Sequence, residues 1–390
     1  MITVAQALDA LFALTHPTES EDVPLRAAAG RVLARDLEAL RTQPPFAASS
    51  MDGYALHRAE VEPDAMFKIV GEAAAGHRFT GTVKAGQAVR IFTGAPVPDG
   101  ADFVVIQEDV TRRGNLITLG HNIKDKDNIR PAGGDFSAGQ RVTAPRVLRP
   151  ADIALLAAMN IARVPVHRKP VVALLATGDE LVQPGETPGT DQIIASNTYG
   201  LAAQFDALGA RTRMMPIAGD TAASLSRALT LAQGADLIIT VGGASVGDHD
   251  LVAPVAAEMG MQQSFYKVAM RPGKPLMAGS LADAVMVGLP GNPVSAMVCG
   301  TIFVAPMIRA MLGLGQSPAP RRTLPLAADL GTNGPREHYM RAVIEAGAVT
   351  PQARQDSSLL TVLATANCLL VRAAHDPARK AGELVEVIDI

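Results

Sequence analysis

One short run, Leu237 to Val241, constrains this chain more than any other stretch. It reads L-I-I-T-V and stops at Gly242-Gly243. A brief, largely β-branched apolar run fits a strand buried on both faces of a parallel sheet. Two glycines directly after it let the backbone turn sharply and bring N–H groups close to a ligand, with no Cβ in the way. Ser245 and Gly247 extend this donor-rich loop, and Asp248 and Asp250 set two carboxylates beside it. Leu251 to Met259 reads as the following helix, with Pro254 acceptable in its first turn. A backbone cradle for an anion beside carboxylates for a cation is what a phosphate–metal site needs. The same residues also suit a plain strand–turn–helix corner whose aspartates are caps.

The flanking sequence repeats the alternation. A strand is expected at Val171–Ala176, a helix from Asn197 to about Leu208, a strand at Thr212–Ile217 and a helix at Thr221–Gln233. Beyond the opening strand come expected strands near Ser264–Val268 and at Ala284–Val287, then the helix Val294–Leu312. Strands alternating with helices imply a parallel sheet covered on both faces. Pro165 and Pro170 mark its start, and the segment 316–320 (Q-S-P-A-P) reads as a linker after it.

The rest of the chain differs. Val4, Leu8, Leu11 and Leu14 fall at helical spacing, with Thr3 as cap and Pro17 as stop. Val23 to Leu40 holds a second turn-then-periodic segment. Residues 41–150 carry short β-branched runs (Phe67–Val70, Val89–Phe92, Phe103–Ile106, Leu116–Leu119) between Gly/Pro/Asp turns, the pattern of a small β domain. Pro150 to Asn160 returns to helix and is expected to pack with the N-terminal helix into a linker module. After residue 320, short apolar runs between polar turns read as another small β domain.

A length of 390 residues suggests two to four domains. The formal charge of −3, with 4% aromatics and no Trp, argues against nucleic-acid binding. The only cysteines are Cys299 and Cys368, without a C-x-x-C, so a reducing cytoplasm is expected. The N-terminal segment reads as an amphipathic helix rather than a signal peptide. No run long and apolar enough to span a membrane is expected. The eight His lack metal-ligand spacing.

Ligands of open α/β sheets sit beyond the carboxyl ends of the strands. Four polar loops follow apolar runs here: Thr177-Gly178-Asp179-Glu180, the opening loop, Arg271 to Pro275, and Leu289 to Ser295. If the runs share one sheet, the loops face one crevice. Lys267, Arg271 and Lys274 suit an oxyanion, each charge-assisted bond contributing ~1.5–3 kcal/mol. Lys267 alone suits a surface side chain equally well. Gly291-Asn292-Pro293 leads into a helix whose N-terminus favours anions, though Asn292 alone also suits a cap. Neither a dinucleotide fingerprint nor a P-loop is present.

The motifs M-D-G-Y-A, F-T-G-A, R-P-A-G-G-D, T-G-D-E-L, G-G-A-S-V-G-D-H-D, R-P-G-K-P and L-P-G-N-P-V-S occur in this order along almost the whole chain. The ordered set resembles the MoeA family of molybdopterin molybdenumtransferases. The resemblance implies a multidomain α/β plus β protein. Its parts would be a helical linker domain (1–24 and 142–168), a β-rich inserted domain (25–141), a MogA-like three-layer α/β domain (169–316) and a C-terminal β-barrel-like domain (317–390). It implies a cytoplasmic homodimer that inserts molybdate into adenylylated molybdopterin with Mg2+, releasing AMP. Each site would lie between the α/β domain of one chain and the β domain of the other.

The positions matching the family's functional residues are Asp52, Thr93 and Asp135 in the β domain. In the α/β domain they are Glu180, Asp220, Asp250, Lys267, Arg271 and Lys274. Glu180, Asp250 and Asp52 are assigned to Mg2+ or water, and Lys274 with Arg271 to the anions. Phosphate or pterin would be held by Thr177-Gly178, by Gly242, Gly243, Ser245, Gly247 and Asp248, and by Gly273, Pro290, Gly291, Asn292 and Ser295. Two departures stand out: Ala47-Ala48-Ser49-Ser50 precedes Met51 where relatives carry a more polar run, and Arg271 stands where Lys is frequent. The expected partners are adenylylated molybdopterin, a molybdopterin adenylyltransferase and molybdoenzyme chaperones, with no nucleic acid and no membrane. Rival readings are a molybdopterin adenylyltransferase, which needs only the α/β domain, a gephyrin-like scaffold, and a nonenzymatic carrier.

Overall fold

Alternate residues of a strand face opposite sides of its sheet, and the opening run uses both. In the computed structural model, which describes residues 1–243 and 251–390, Leu237–Val241 is a strand buried along its whole length. Leu237, Ile239 and Val241 join one core with Leu201 and Phe205 of the helix Asn197–Ala207. Ile238 joins a second core with Leu225 and Leu229 of the helix Ala222–Leu231. Full burial of each such side chain stabilises the fold by about 1.5–3 kcal/mol. The two cores explain why the run carries no alternating polar residues: a three-layer arrangement leaves neither face wet.

The sheet runs Arg211–Met214, Val171–Ala176, Leu237–Val241, Ala284–Leu289, Met277–Leu281, Gln262–Tyr266. Its first four strands are parallel and its last two antiparallel, so the sheet is mixed rather than wholly parallel. The strand Met277–Leu281 escapes the sequence reading because M-A-G-S-L has too few β-branched residues to mark it. A tight connection at Ala282 and Asp283, with Ala282 at φ 51°, folds it back on the next strand.

Pro293–Cys299, the π-helical turn Gly300–Val304 and Ala305–Met311 form one long helical run. This run corrects the membrane expectation. Its length and mean hydropathy of 1.7 are enough to cross a bilayer, but 78% of the window concerned is buried inside the protein. Phe303, Met307 and Ile308 lie in the main core, so the apolar stretch serves packing.

The chain divides into two compact units: Met1–Glu21 with Gly30–Ala34 and Pro165–Ile390, and Asp22–Ala29 with Arg35–Val164. The N-terminal helix Val4–Ala13 is capped by Thr3 in a reciprocal box with Gln6, and its Leu8 and Leu11 enter the main core of the first unit. The helix Pro150–Ala158 belongs to the second unit. Residues 23–40 form no helix of the periodic kind expected; they hold a 3-10 turn at Leu25–Ala27 and the short strands Val32–Leu33 and Leu37–Glu38.

In the first unit, the C-terminal strands Arg322–Pro325, Glu337–Glu345, Cys368–Arg372 and Leu384–Asp389 form a sheet joined by Ala348–Pro351. The two-residue strand Met270–Arg271 of the α/β region pairs in parallel with Glu337 and His338 of this sheet. That pairing fixes Arg271 against the C-terminal strands. In the second unit, Gly53–Leu56, Met66–Ala73, Gln87–Ile91, Phe103–Ile106, Val110–Arg113 and Leu116–Leu119 make a six-stranded sheet. All four expected runs are in it. Gly53 opens its strand because a Cβ there would come within 1.9 Å of the Val105 carbonyl oxygen.

Candidate functional site

The parallel strands end at a common edge, and the loops there enclose a cavity of about 770 Å³. Thr177 and Gly178 follow one strand, Gly242 and Gly243 the next, and Pro290, Gly291 and Asn292 the third. The paired glycines are dictated by shape. Gly242 has φ 96°, and a Cβ on it would lie 2.8 Å from the Thr177 carbonyl oxygen. Gly243 has φ 62°, and its Cβ would lie 2.5 Å from Val252. Thr177 is 5% exposed, and its hydroxyl has no hydrogen-bond partner among the described residues. A buried hydroxyl without a partner costs about 1–3 kcal/mol, so the site holds donor capacity for a ligand.

Glu180 and Asp220 place carboxylates on the same cavity. The loops that carry them are cross-latched. The Asp220 N–H donates to Asp179 Oδ1 at 3.0 Å, and the Asp179 N–H donates to Asp220 Oδ2 at 3.4 Å. Across the cavity, Asn197 Nδ2 donates to the Gly291 carbonyl at 2.7 Å and ties the helix to the P-G-N-P loop. Asn292 stands at the N-cap position of the next helix, but its side chain makes no capping bond. Its Nδ2 donates instead to Ser357 Oγ at 3.2 Å, reaching a loop of the C-terminal region.

A second chamber of about 340 Å³ adjoins the first, sharing Pro275 and Asn292. Arg271, Lys274 and Arg336 line it with Ser295, Ser357 and one acid, Asp356, whose Oδ1 accepts from the Ser358 N–H and hydroxyl. Among the described residues neither Arg271 nor Lys274 has an acidic partner within ion-pair distance. Arg341 is 0% exposed. Its Nη2 donates to the Asp356 carbonyl at 3.3 Å, while Nε and Nη1 find no acceptor among the described residues. Burial, then the Arg271 charge, pushes this guanidinium down to about 10. His338, 6% exposed and with no partner for its Nε2 among the described residues, is pushed down to about 4 by burial and by Arg271, Arg341, Arg372 and Arg336. A region with several cations and too few acceptors is electrostatically unfinished, and a small oxyanion completes it.

The expected residues therefore fall into groups. Thr177, Gly178, Glu180, Asp220, Gly242, Gly243, Pro290, Gly291 and Asn292 meet at the cavity. Arg271, Gly273, Lys274 and Ser295 meet at the chamber. Lys267 lines neither; its ammonium lies 5.0 Å from the Tyr266 ring centre. Ser245, Gly247, Asp248 and Asp250 lie outside the described residues. Asp52, Thr93 and Asp135 belong to the second unit. There the Thr93 N–H and hydroxyl both donate to Asp52 Oδ1 at 2.8 Å. These bonds, backbone first, hold the Asp52 carboxyl below its ordinary range. Asp135 lines a separate hollow of that unit with Arg41 and Arg130.

Sequence reasoning missed Arg336, His338, Arg341 and Ser357. A signal was present: His338 and Arg341 interrupt a run that is otherwise a buried strand, H-Y-M-R-A-V. Basic residues inside such a run cost free energy unless something pairs with them.

Comparison with known proteins accounts for almost the whole chain. Family profiles described as MoeA N-terminal region (domain I and II), probable molybdopterin binding domain, and MoeA C-terminal region (domain IV) match residues 2–160, 173–310 and 323–390. The molybdopterin molybdenumtransferase of Haemophilus influenzae is 34% identical over 397 residues, covering 99% of this chain and 98% of that one. Molybdopterin molybdenumtransferase 2 of Mycobacterium tuberculosis is 36% identical over 365 residues, 89% of each chain. The crystal structure of the molybdopterin biosynthesis moeA protein from Pyrococcus horikoshii OT3 superimposes with a TM-score of 0.85 at 25% identity, covering 100% of both chains.

Proposed function

The chain belongs to the MoeA family, and from that membership we propose that it inserts molybdate into adenylylated molybdopterin, releasing AMP and forming molybdenum cofactor. The observation that carries this reading is the pairing of a glycine-lined cavity with an adjoining cationic chamber. The cavity suits a phosphate-bearing organic ligand: the Gly243 backbone has no Cβ in front of it and the Thr177 hydroxyl has no partner among the described residues, while the Gly242 N–H is given to the Leu289 carbonyl at 3.2 Å. The chamber suits molybdate, a tetrahedral dianion. Arg271, Lys274 and Arg336 line it, and beside Arg271 the Nε and Nη1 of Arg341 lack an acceptor among the described residues. Because the two spaces share Pro275 and Asn292, an oxyanion in one lies beside a pterin in the other.

The pterin dithiolene supplies the sulfur nucleophiles, so the protein needs none. Cys299 and Cys368 fit that: burial raises both thiols, Cys368 to about 11, which keeps them protonated. The protein's part is binding, orientation and charge. Mg2+ fits the donor set: it takes one or two carboxylates with phosphate oxygens and water, and Glu180 and Asp220 share the cavity. When bound, it neutralises phosphate charge as the adenylate anhydride opens. Asp250 stays in this proposal as a further carboxylate. Asp52, kept ionised and aimed by Thr93, orders water released as molybdate exchanges oxygen for sulfur.

The reading includes the four-domain division and a cytoplasmic homodimer in which each centre draws Asp52 from one chain and Lys274 from the other. A molybdopterin adenylyltransferase would supply its substrate, and molybdoenzyme chaperones would take its product. Purified protein given adenylylated molybdopterin, Mg2+ and molybdate should release AMP and form cofactor together. AMP release without molybdenum insertion overturns the reading. Lys274→Ala should weaken molybdate binding by ~1.5–3 kcal/mol. Asp52→Ala should spare pterin binding and abolish insertion. Random mixing of the two variants should restore roughly a quarter of wild-type activity, since half the dimers are mixed and each keeps one intact centre.

A further inference from the structure

We propose that Arg90 is a positioning residue for the insertion reaction, acting by fixing the backbone that carries Asp52 and the loop that carries Thr93; this rests on the reading in which Asp52 serves that step. Arg90 stands directly opposite Tyr54 in the six-stranded sheet. Its guanidinium lies between two rings, 5.0 Å from the centre of Tyr54 and 4.7 Å from that of Phe92. Nη1 donates to the Gly53 carbonyl at 3.1 Å, and Nη2 donates to Gln107 Oε1 at 2.6 Å. The Gln107 N–H in turn donates to the Asp52 carbonyl at 3.0 Å.

These contacts surround the Asp52–Thr93 pair. Tyr54 and Gly53 follow Asp52 in the chain, and Phe92 precedes Thr93. One planar group thus clamps both segments whose ends must meet for the Thr93 N–H and hydroxyl to reach Asp52 Oδ1. The clamp uses a cation where a neutral amide would suffice to bond a carbonyl and an amide. Among the described residues no carboxylate lies within ion-pair distance of Arg90, so its charge is left to act on Asp52, whose carboxyl it helps hold low. A planar fork stacked on two rings is a role that Lys cannot fill.

The test uses the full-length protein and the Arg90→Met, Arg90→Lys and Asp52→Asn variants. Two readouts are followed: steady-state insertion with adenylylated molybdopterin and molybdate, and amide hydrogen exchange of the peptide containing Thr93. Both Arg90 variants should lower kcat by about 10²-fold, the scale of an ångström-level misplacement. KM for the adenylylated pterin should stay near wild type, because the pterin cavity lies in the other compact unit. The Thr93 peptide should exchange faster in Arg90→Met and in Asp52→Asn alike. Wild-type kcat in Arg90→Lys, or unchanged exchange in Arg90→Met, overturns the proposal. Should Arg90→Met fail to fold, Arg90→Lys decides by the same two readouts. If Asp52→Asn inserts molybdenum normally, the functional reading of Asp52 fails instead, and the exchange data still report whether Arg90 holds the pair.

Discussion

Two arginines of the C-terminal sheet are buried to nearly the same degree and live in opposite surroundings. Arg372, 2% exposed, pairs with Asp376 and donates to the carbonyls of Gly331 at 3.1 Å and Pro377 at 2.7 Å. Burial alone would raise the Asp376 carboxyl, but Arg379 and Arg372 hold it below its ordinary range. Arg341, 0% exposed, has one long bond to a carbonyl and two nitrogens, Nε and Nη1, with no acceptor among the described residues. The first arrangement is a closed latch that joins a strand end to its loop. The second is an open demand for an anion, beside Arg271. Burial of a charge therefore does not distinguish structure from function here; the completeness of its partners does.

The largest effect that tests this contrast concerns the latch. Arg372→Met should destabilise the protein by about 3–4 kcal/mol, because the Gly331 and Pro377 carbonyls lose a buried donor while Asp376 keeps only Arg379. Denaturant unfolding measures this, and a loss under 1 kcal/mol would erase the distinction between the two sites.

Next in size is a pH effect centred on His338. Its folded pKa of about 4 lies below the ordinary 6.5, so the unfolded chain binds more protons between those values. The stability held by keeping His338 neutral is complete above about pH 6.5 and is lost as the pH falls towards 4, by up to roughly 3 kcal/mol. His338→Gln should flatten that part of the pH–stability curve. An unchanged acid limb would show that the imidazole does not feel the neighbouring arginines. An oxyanion in the chamber should also protect the wild type more at pH 5 than at pH 8, since it favours the imidazolium.

The smallest effect is the most discriminating. Arg341→Met, which removes a buried cation without an acidic partner, should change stability by no more than about 1 kcal/mol in either direction. Molybdate should raise the melting temperature of the wild type and leave that of Arg341→Met unchanged. A variant as damaged as Arg372→Met would make Arg341 a second latch.

Much of this was legible in the residues themselves. The run L-I-I-T-V followed by two glycines determined a doubly buried strand and a ligand-facing turn, because both are local demands: apolar residues on successive positions and positive φ without a Cβ. The ordered motifs determined the family. The antiparallel strand Met277–Leu281 was not legible, since M-A-G-S-L acquires strand geometry from its neighbours. The apolar run Pro293–Met311 has a membrane-like composition that only its burial among other helices explains. The chamber belongs to the same class. Arg271 and Lys274 announced themselves in a turn, but Arg336, His338 and Arg341 lie more than sixty residues later in the chain. Arg336 lines the chamber, and His338 and Arg341 come beside Arg271, because Met270–Arg271 adds a parallel strand to Glu337–Glu345. Local sequence sets backbone turns and the faces of strands; which distant cations share one unpaired space is set by sheet pairing, a long-range contact that no local pattern encodes.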